Sequence, residues 1–128
     1  MAKVLLVADA PWAINDVRAS LSDAGYDLVL VTDPREAADA RLEEDPDLVL
    51  VDLQVGSMGG FAVVRDLRDA AAAAGEPPVP AVLLLDRSVD TFLAGRSGAD
   101  AWLLKPVSSF ELRSVVDELT SAPAPDPA

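Results

Sequence analysis

The stretch Pro46-Asp-Leu-Val-Leu-Val-Asp52, continued by Leu53-Gln-Val-Gly-Ser-Met-Gly-Gly-Phe61, decides the fold. Leu48 to Val51 is a short unbroken apolar run, the pattern of a strand buried on both faces. It ends on a carboxylate, Asp52, and a glycine-rich loop follows. Two other apolar runs are punctuated the same way, Val4 to Ala8 by Asp9 and Ala101 to Leu104 by Lys105. A parallel sheet lines up the carboxyl ends of its strands along one edge, so two carboxylates and an ammonium converge there. Open α/β sheets take their ligands outside that edge.

Working outward, strands and helices alternate. Pro11 suits a first helical turn, Ile14, Val17, Leu21 and Ala24 recur at helical spacing, and Gly25 is a stop, which predicts a helix over about 11 to 24. Leu28 to Val31 is the next strand, and Asp33-Pro-Arg-Glu36 combines an N-cap, a first-turn proline and a capping-box glutamate for a second helix that Pro46 closes. Beyond the loop from Gln54 to Gly60, a third helix carries Phe61, Val64, Leu67 and an alanine run to Gly75. Ala81 to Leu85 is a fully apolar fourth strand, and a short fourth helix is predicted around Val89 to Gly95. Ala101 to Leu104 is the fifth strand, and Ser108-Ser-Phe-Glu111 opens a fifth helix with Leu112, Val115, Val116 and Leu119 along one stripe. Right-handed βαβ crossovers then give a doubly wound parallel sheet with helices on both faces.

Composition removes whole classes of function. The chain has 128 residues, 51% of them hydrophobic, enough for one domain with a core of its own. It has no Cys and no His, which excludes disulfides, thiolate sites and the commonest general base. A net charge of −12 opposes direct binding of nucleic acid. No apolar run approaches the length of a bilayer span, and no cleavage-type leader precedes Asp9, so a cytoplasmic protein without membrane contact is expected. Residues 1–121 read as one domain and 122–128, Ala-Pro-Ala-Pro-Asp-Pro-Ala, as a tail or linker stub.

The stretch from Pro46 to Phe61, together with Gly98-Ala-Asp-Ala-Trp-Leu-Leu-Lys-Pro106, resembles the receiver domain of bacterial two-component response regulators. The likeness runs from residue 3 to about 121. It implies a (βα)5 flavodoxin/CheY-like fold with strand order 2-1-3-4-5. It also implies a role in phosphorelay signal transduction and no enzymatic turnover of its own. Carried over by position, Asp52 is the phosphoacceptor and Lys105 the cation that pairs with the phosphoryl group. Asp9, Asp52 and the backbone carbonyl of Gln54 would hold Mg²⁺. Leu85, Asp86, Trp102 and Pro106 occupy the switch and output positions, Pro106 holding its loop through a cis bond. The chemistry makes sense of the set, because an anion attacking an anion needs a bridging divalent cation and a fixed positive charge.

Departures from the family pattern point to an atypical member. Ala8 stands where a second acid is usual, so metal affinity should fall. Leu85 replaces the Ser or Thr that bonds the phosphoryl group, and Asp86 follows where a small residue is usual. Two residues are missing between Leu85 and Lys105, Gly56 replaces a loop proline, and Trp102 replaces the usual Tyr or Phe. The implied partners are a histidine kinase or histidine phosphotransfer protein, an output protein or fused effector domain reached through helix 4, strand 5 and helix 5, and a second copy in a homodimer. The alternative is a pseudo-receiver that binds partners independently of phosphorylation.

Plainer readings exist for each residue. Asp9 and Asp52 could cap turns, Lys105 could be a counter-charge, Asp86 a solvated loop residue or the cap of helix four, and Trp102 a core aromatic. Other classes fit less well. Asp9-Ala-Pro-Trp12 lacks the hydroxyls that hold a flavin phosphate, Gln54 stands where an aspartate-nucleophile phosphatase needs its second Asp, and a His-based triad is impossible.

Overall fold

The computed structural model describes residues 2–22 and 25–120. Five strands form one parallel sheet in the order β2-β1-β3-β4-β5, as the sequence predicts. They are β1 (Lys3–Val7), β2 (Asp27–Val31), β3 (Leu48–Asp52), β4 (Ala81–Leu85) and β5 (Ala101–Leu104). Five helices alternate with them: α1 (Pro11–Leu21), α2 (Ala37–Glu44), α3 (Gly60–Ala74), α4 (Thr91–Arg96) and α5 (Ser109–Thr120).

Side-chain alternation along the strands divides the core into two layers. Val4, Leu6, Leu48, Leu50, Val82 and Leu84 face α1 and α5 and meet Ile14, Val17, Leu21, Leu112 and Val116. Leu5, Val7, Val49, Val51, Leu83 and Leu85 face the opposite way, onto Ala37, Val63, Val64, Leu67 and Ala94 of α2, α3 and α4. β3 and β4 are buried at every residue, which is why their sequences show no polar alternation. Each leucine sealed in this way contributes about 2 kcal/mol of transfer free energy.

The helix boundaries differ from the sequence reading where capping differs. α1 is capped at Ser22, and residues 23 and 24 of its predicted extension lie outside the described residues, as does the tail from 121 onward. Asp33 caps as expected, its Oδ1 accepting from the Arg35 amide at 3.0 Å, but the turn it caps is a 3-10 turn over Pro34–Glu36 that precedes α2. α2 ends at Asp45, a non-glycine residue in the left-handed region at φ 47°, ahead of Pro46. Another 3-10 turn, Ser88–Asp90, leads into α4, which has six residues. The Ser108 hydroxyl accepts from the Glu111 amide at 3.0 Å, the predicted cap of α5.

α4 is too short to cover β5. Trp102 and Leu104, which pair with Leu83 and Leu85 and so point to the α4 side, remain 37% and 39% exposed. Trp102 lies over Gly95, where a Cβ would stand 3.5 Å from its ring.

Candidate functional site

Strand register brings the site together. Asp52 pairs with Leu84 across β3 and β4, Leu84 with Leu103 across β4 and β5, and the Lys105 amide continues the ladder by donating to the Leu85 carbonyl at 2.8 Å. Asp52 is fully buried at the end of β3. Its Oδ1 accepts from Lys105 Nζ at 2.5 Å and from the Gln54 amide at 3.2 Å. Its Oδ2 is buried with no hydrogen-bond partner. A buried carboxylate oxygen left bare is costly, and it is also the atom free to take a ligand or act as a nucleophile.

Asp9 sits at the mouth, exposed, and its Oδ2 accepts from the Gly56 amide at 2.9 Å. This contact exists because residue 56 is not the proline usual in this loop. Proline has no N–H to give, and at φ 52° its ring could not be accommodated. The glycines here sit in a turn held by its own backbone hydrogen bonds. Val55 is fully buried, its amide bonds the Asp52 carbonyl, and the Gly59 and Gly60 amides return to Val55 and Leu53. A Cβ on Gly60 would fall 2.9 Å from the Leu53 Cα and 3.0 Å from the Asp52 carbonyl oxygen. Only glycine lets α3 start that close to the buried acid.

Asp86 is neither simply solvated nor the cap of α4. Its Oδ1 accepts from Lys105 Nζ at 3.2 Å, so the lysine bridges two carboxylates. Leu85 is completely buried in the layer beneath α3 and α4. Trp102 is half-exposed, so it is not a core aromatic, and it stands on the opposite side of the sheet from the Leu84 layer. Pro106 follows a cis peptide bond. Ala8 is buried among α1-facing core residues and offers no side-chain oxygen.

The carboxylates of Asp9 and Asp52 and a backbone carbonyl such as that of Gln54 are oxygen donors of the type a hard divalent cation prefers. They provide two carboxylates, and among the described residues no cluster of three acids forms. Beside Lys105 a groove of about 310 Å³ runs between α1 and the start of α5, lined by Trp12, Val17, Ser20, Pro106 and Val107.

The family model for the response regulator receiver domain matches residues 4–117. The chain belongs to this family. Receivers are signalling modules of two-component phosphorelays, and that is the function class of this domain. The BeF3-activated N-terminal receiver domain of Klebsiella pneumoniae RstA is similar at 28% identity and TM-score 0.79, covering 93% of this chain and 98% of that one. Chemotaxis protein CheY4 of Vibrio cholerae is similar at 26% identity and TM-score 0.78, over 93% of this receiver and 98% of its own length. The receiver domain of a Pseudomonas aeruginosa sensor histidine kinase shares the fold at 23% identity and TM-score 0.79, over 93% and 97% of the two chains, and its structure has a magnesium ion coordinated in the active site cleft. Among the described residues, no helix of this receiver is long and apolar enough to cross a membrane.

Proposed function

We propose that this domain is an atypical receiver in which Asp52 accepts a phosphoryl group from a phosphorylated histidine kinase or histidine phosphotransfer protein. One observation carries the reading: Asp52 is buried with one oxygen held by Lys105 and the Gln54 amide and the other free of any partner.

In the reaction Asp52 Oδ2 attacks phosphorus in line with the leaving group. The new O–P bond forms as the donor's P–N bond breaks, and the released imidazole takes its proton from solvent. Lys105, already on Oδ1, is placed to share its charge with the transferring oxygens. Mg²⁺ bound at Asp9, Asp52 and the Gln54 carbonyl would neutralise charge between acceptor and donor. With one acid fewer at Ala8 and no hydroxyl at Leu85, uptake is slow and its coupling to the α4 side of the sheet is weak. Signal output runs through the α4, β5 and α5 face, where Trp102, Leu104, Phe92 and Phe110 are exposed. The donor protein docks on the groove lined by Trp12 and Pro106, which opens beside Lys105. Residues 1–121 form the receiver and 122–128 a tail or linker.

A second reading has its own support. Lys105 already pairs with Asp52 and Asp86 without any phosphoryl group, which suits a pseudo-receiver that binds its partner constitutively. Intact mass after incubation with Mg²⁺ and acetyl phosphate separates the two. A labile adduct present in the natural chain and lost in Asp52→Asn supports phosphorylation; no adduct on folded protein overturns it in favour of the binding module.

A further inference from the structure

The geometry points to Asp86 as an internal counter-anion that occupies Lys105 and restrains phosphoryl uptake at Asp52. The inference rests on the reading of Asp52 as acceptor and adds a positioning residue to it.

Three observations support it. Leu85 pairs with Leu104, so continuing the register sets Asp86 beside Lys105, and the Lys105 amide on the Leu85 carbonyl at 2.8 Å fixes that neighbourhood. The Asp86 carboxylate then meets the ammonium at 3.2 Å while Asp52 meets it at 2.5 Å. Among the described residues no other hydrogen bond or ion pair engages the Asp86 side chain. The adjacent Arg87 is committed to Asp90 at 3.2 Å, the Ser88–Asp90 turn has no side-chain cap, and no three-acid cluster that could hold a metal forms among the described residues. Asp86 therefore does not restore the acid lost at Ala8.

The side chain of Asp86 is 36% exposed against 1% for Asp52, which puts its charge on the solvent side of the pair. An incoming phosphoryl group arrives from that side. It must displace Asp86 from Lys105 and then remain beside a like charge, so Asp86 both slows formation of the acyl phosphate and shortens its life. Lys105 exchanges one anion for another during the reaction.

The test compares the natural chain with Asp86→Asn, Asp86→Glu and Asp52→Asn. Time courses of the adduct are followed by intact mass with acetyl phosphate and Mg²⁺. Removing one like charge at this range should raise the initial rate roughly tenfold in Asp86→Asn. Asp86→Glu should stay near the natural rate and Asp52→Asn should take no label. Labelling of Asp86→Asn at the natural rate overturns the proposal while leaving Asp52 as acceptor. If no variant is labelled, the acceptor reading fails, and the Asp86 contact is judged by urea midpoints of Asp86→Asn, Lys105→Met and their double variant. Shifts that do not add confirm the counter-anion; additive shifts sink it.

Discussion

Lys105 Nζ lies 2.5 Å from Oδ1 of Asp52, an acid that is 1% exposed at its side chain. The two are unequal partners. Remove the lysine and a carboxylate is stranded in the core; remove the carboxylate charge and the lysine, itself 22% exposed, keeps Asp86. Lys105→Met should cost on the order of 3 kcal/mol because it strands a buried charge, and Asp52→Asn should cost clearly less because it leaves none. Urea unfolding of both variants checks this, and equal losses would contradict the assigned geometry.

Leu85 is where signalling chemistry and core packing compete. Leu85→Thr puts a hydroxyl next to the site but removes volume from a fully buried position. A stability loss of about 2 kcal/mol is expected. Combined with Ala8→Asp, the same change should tighten Mg²⁺ binding, followed by the fluorescence of Trp12 beside Lys105, and should increase phosphoryl uptake. Unchanged Mg²⁺ affinity in the double variant would argue against the proposed donor set.

Gly60 and Gly75 offer a matched comparison. At Gly60 an added methyl meets backbone at 2.9 and 3.0 Å; at Gly75, φ 68°, it meets nothing within 4 Å. Gly75→Ala should cost about 1 kcal/mol from its left-handed conformation alone. Gly60→Ala should cost more, about 2 to 3 kcal/mol, and should also impair labelling of Asp52, because the carbonyl it strikes belongs to that residue.

Acid should loosen the turn ahead of α2. The Arg35 side chain and amide bond the Asp33 carboxylate and hold it below the usual carboxylate range. A lowered native value means that the contribution is complete above the unfolded value and fades as pH falls through the native one. The natural chain should therefore lose stability relative to Asp33→Asn as pH drops below about 4. Parallel urea midpoints for the two proteins across that range would refute the assignment.

Much of this fold was legible because the strands are short, apolar and closed by marked residues. Leu48 to Val51 and Ala81 to Leu85 have no polar break, and the parallel order follows from their alternation with amphipathic helices. The residues drawn to one edge were legible too, since Asp52 ends β3 and Lys105 directly follows β5. Helix starts were less so, because Pro34 and Ser88 begin 3-10 turns whose side-chain patterns resemble the first turn of an α-helix. The partner of Asp86 was hidden because it depends on the register between β4 and β5, which no local pattern encodes. The roles of Gly56 and Gly60 were hidden for a related reason: an amide offered to Asp9 and a close approach to Leu53 and Asp52 depend on how the loop folds back, which composition does not encode.

The pairing of one ammonium with both Asp52 and Asp86, with Asp9 exposed at the mouth, has a kinetic consequence. Carboxylates are in surplus at this edge of an already anionic domain, so on the proposed function its field would draw Mg²⁺ and slow the arrival of a phosphorylated, anionic donor. Added monovalent salt screens both effects, weakening Mg²⁺ occupancy while hastening donor encounter. At saturating Mg²⁺, the second-order rate of phosphoryl transfer should rise with ionic strength, so the domain would respond fastest when its electrostatic surroundings are least felt.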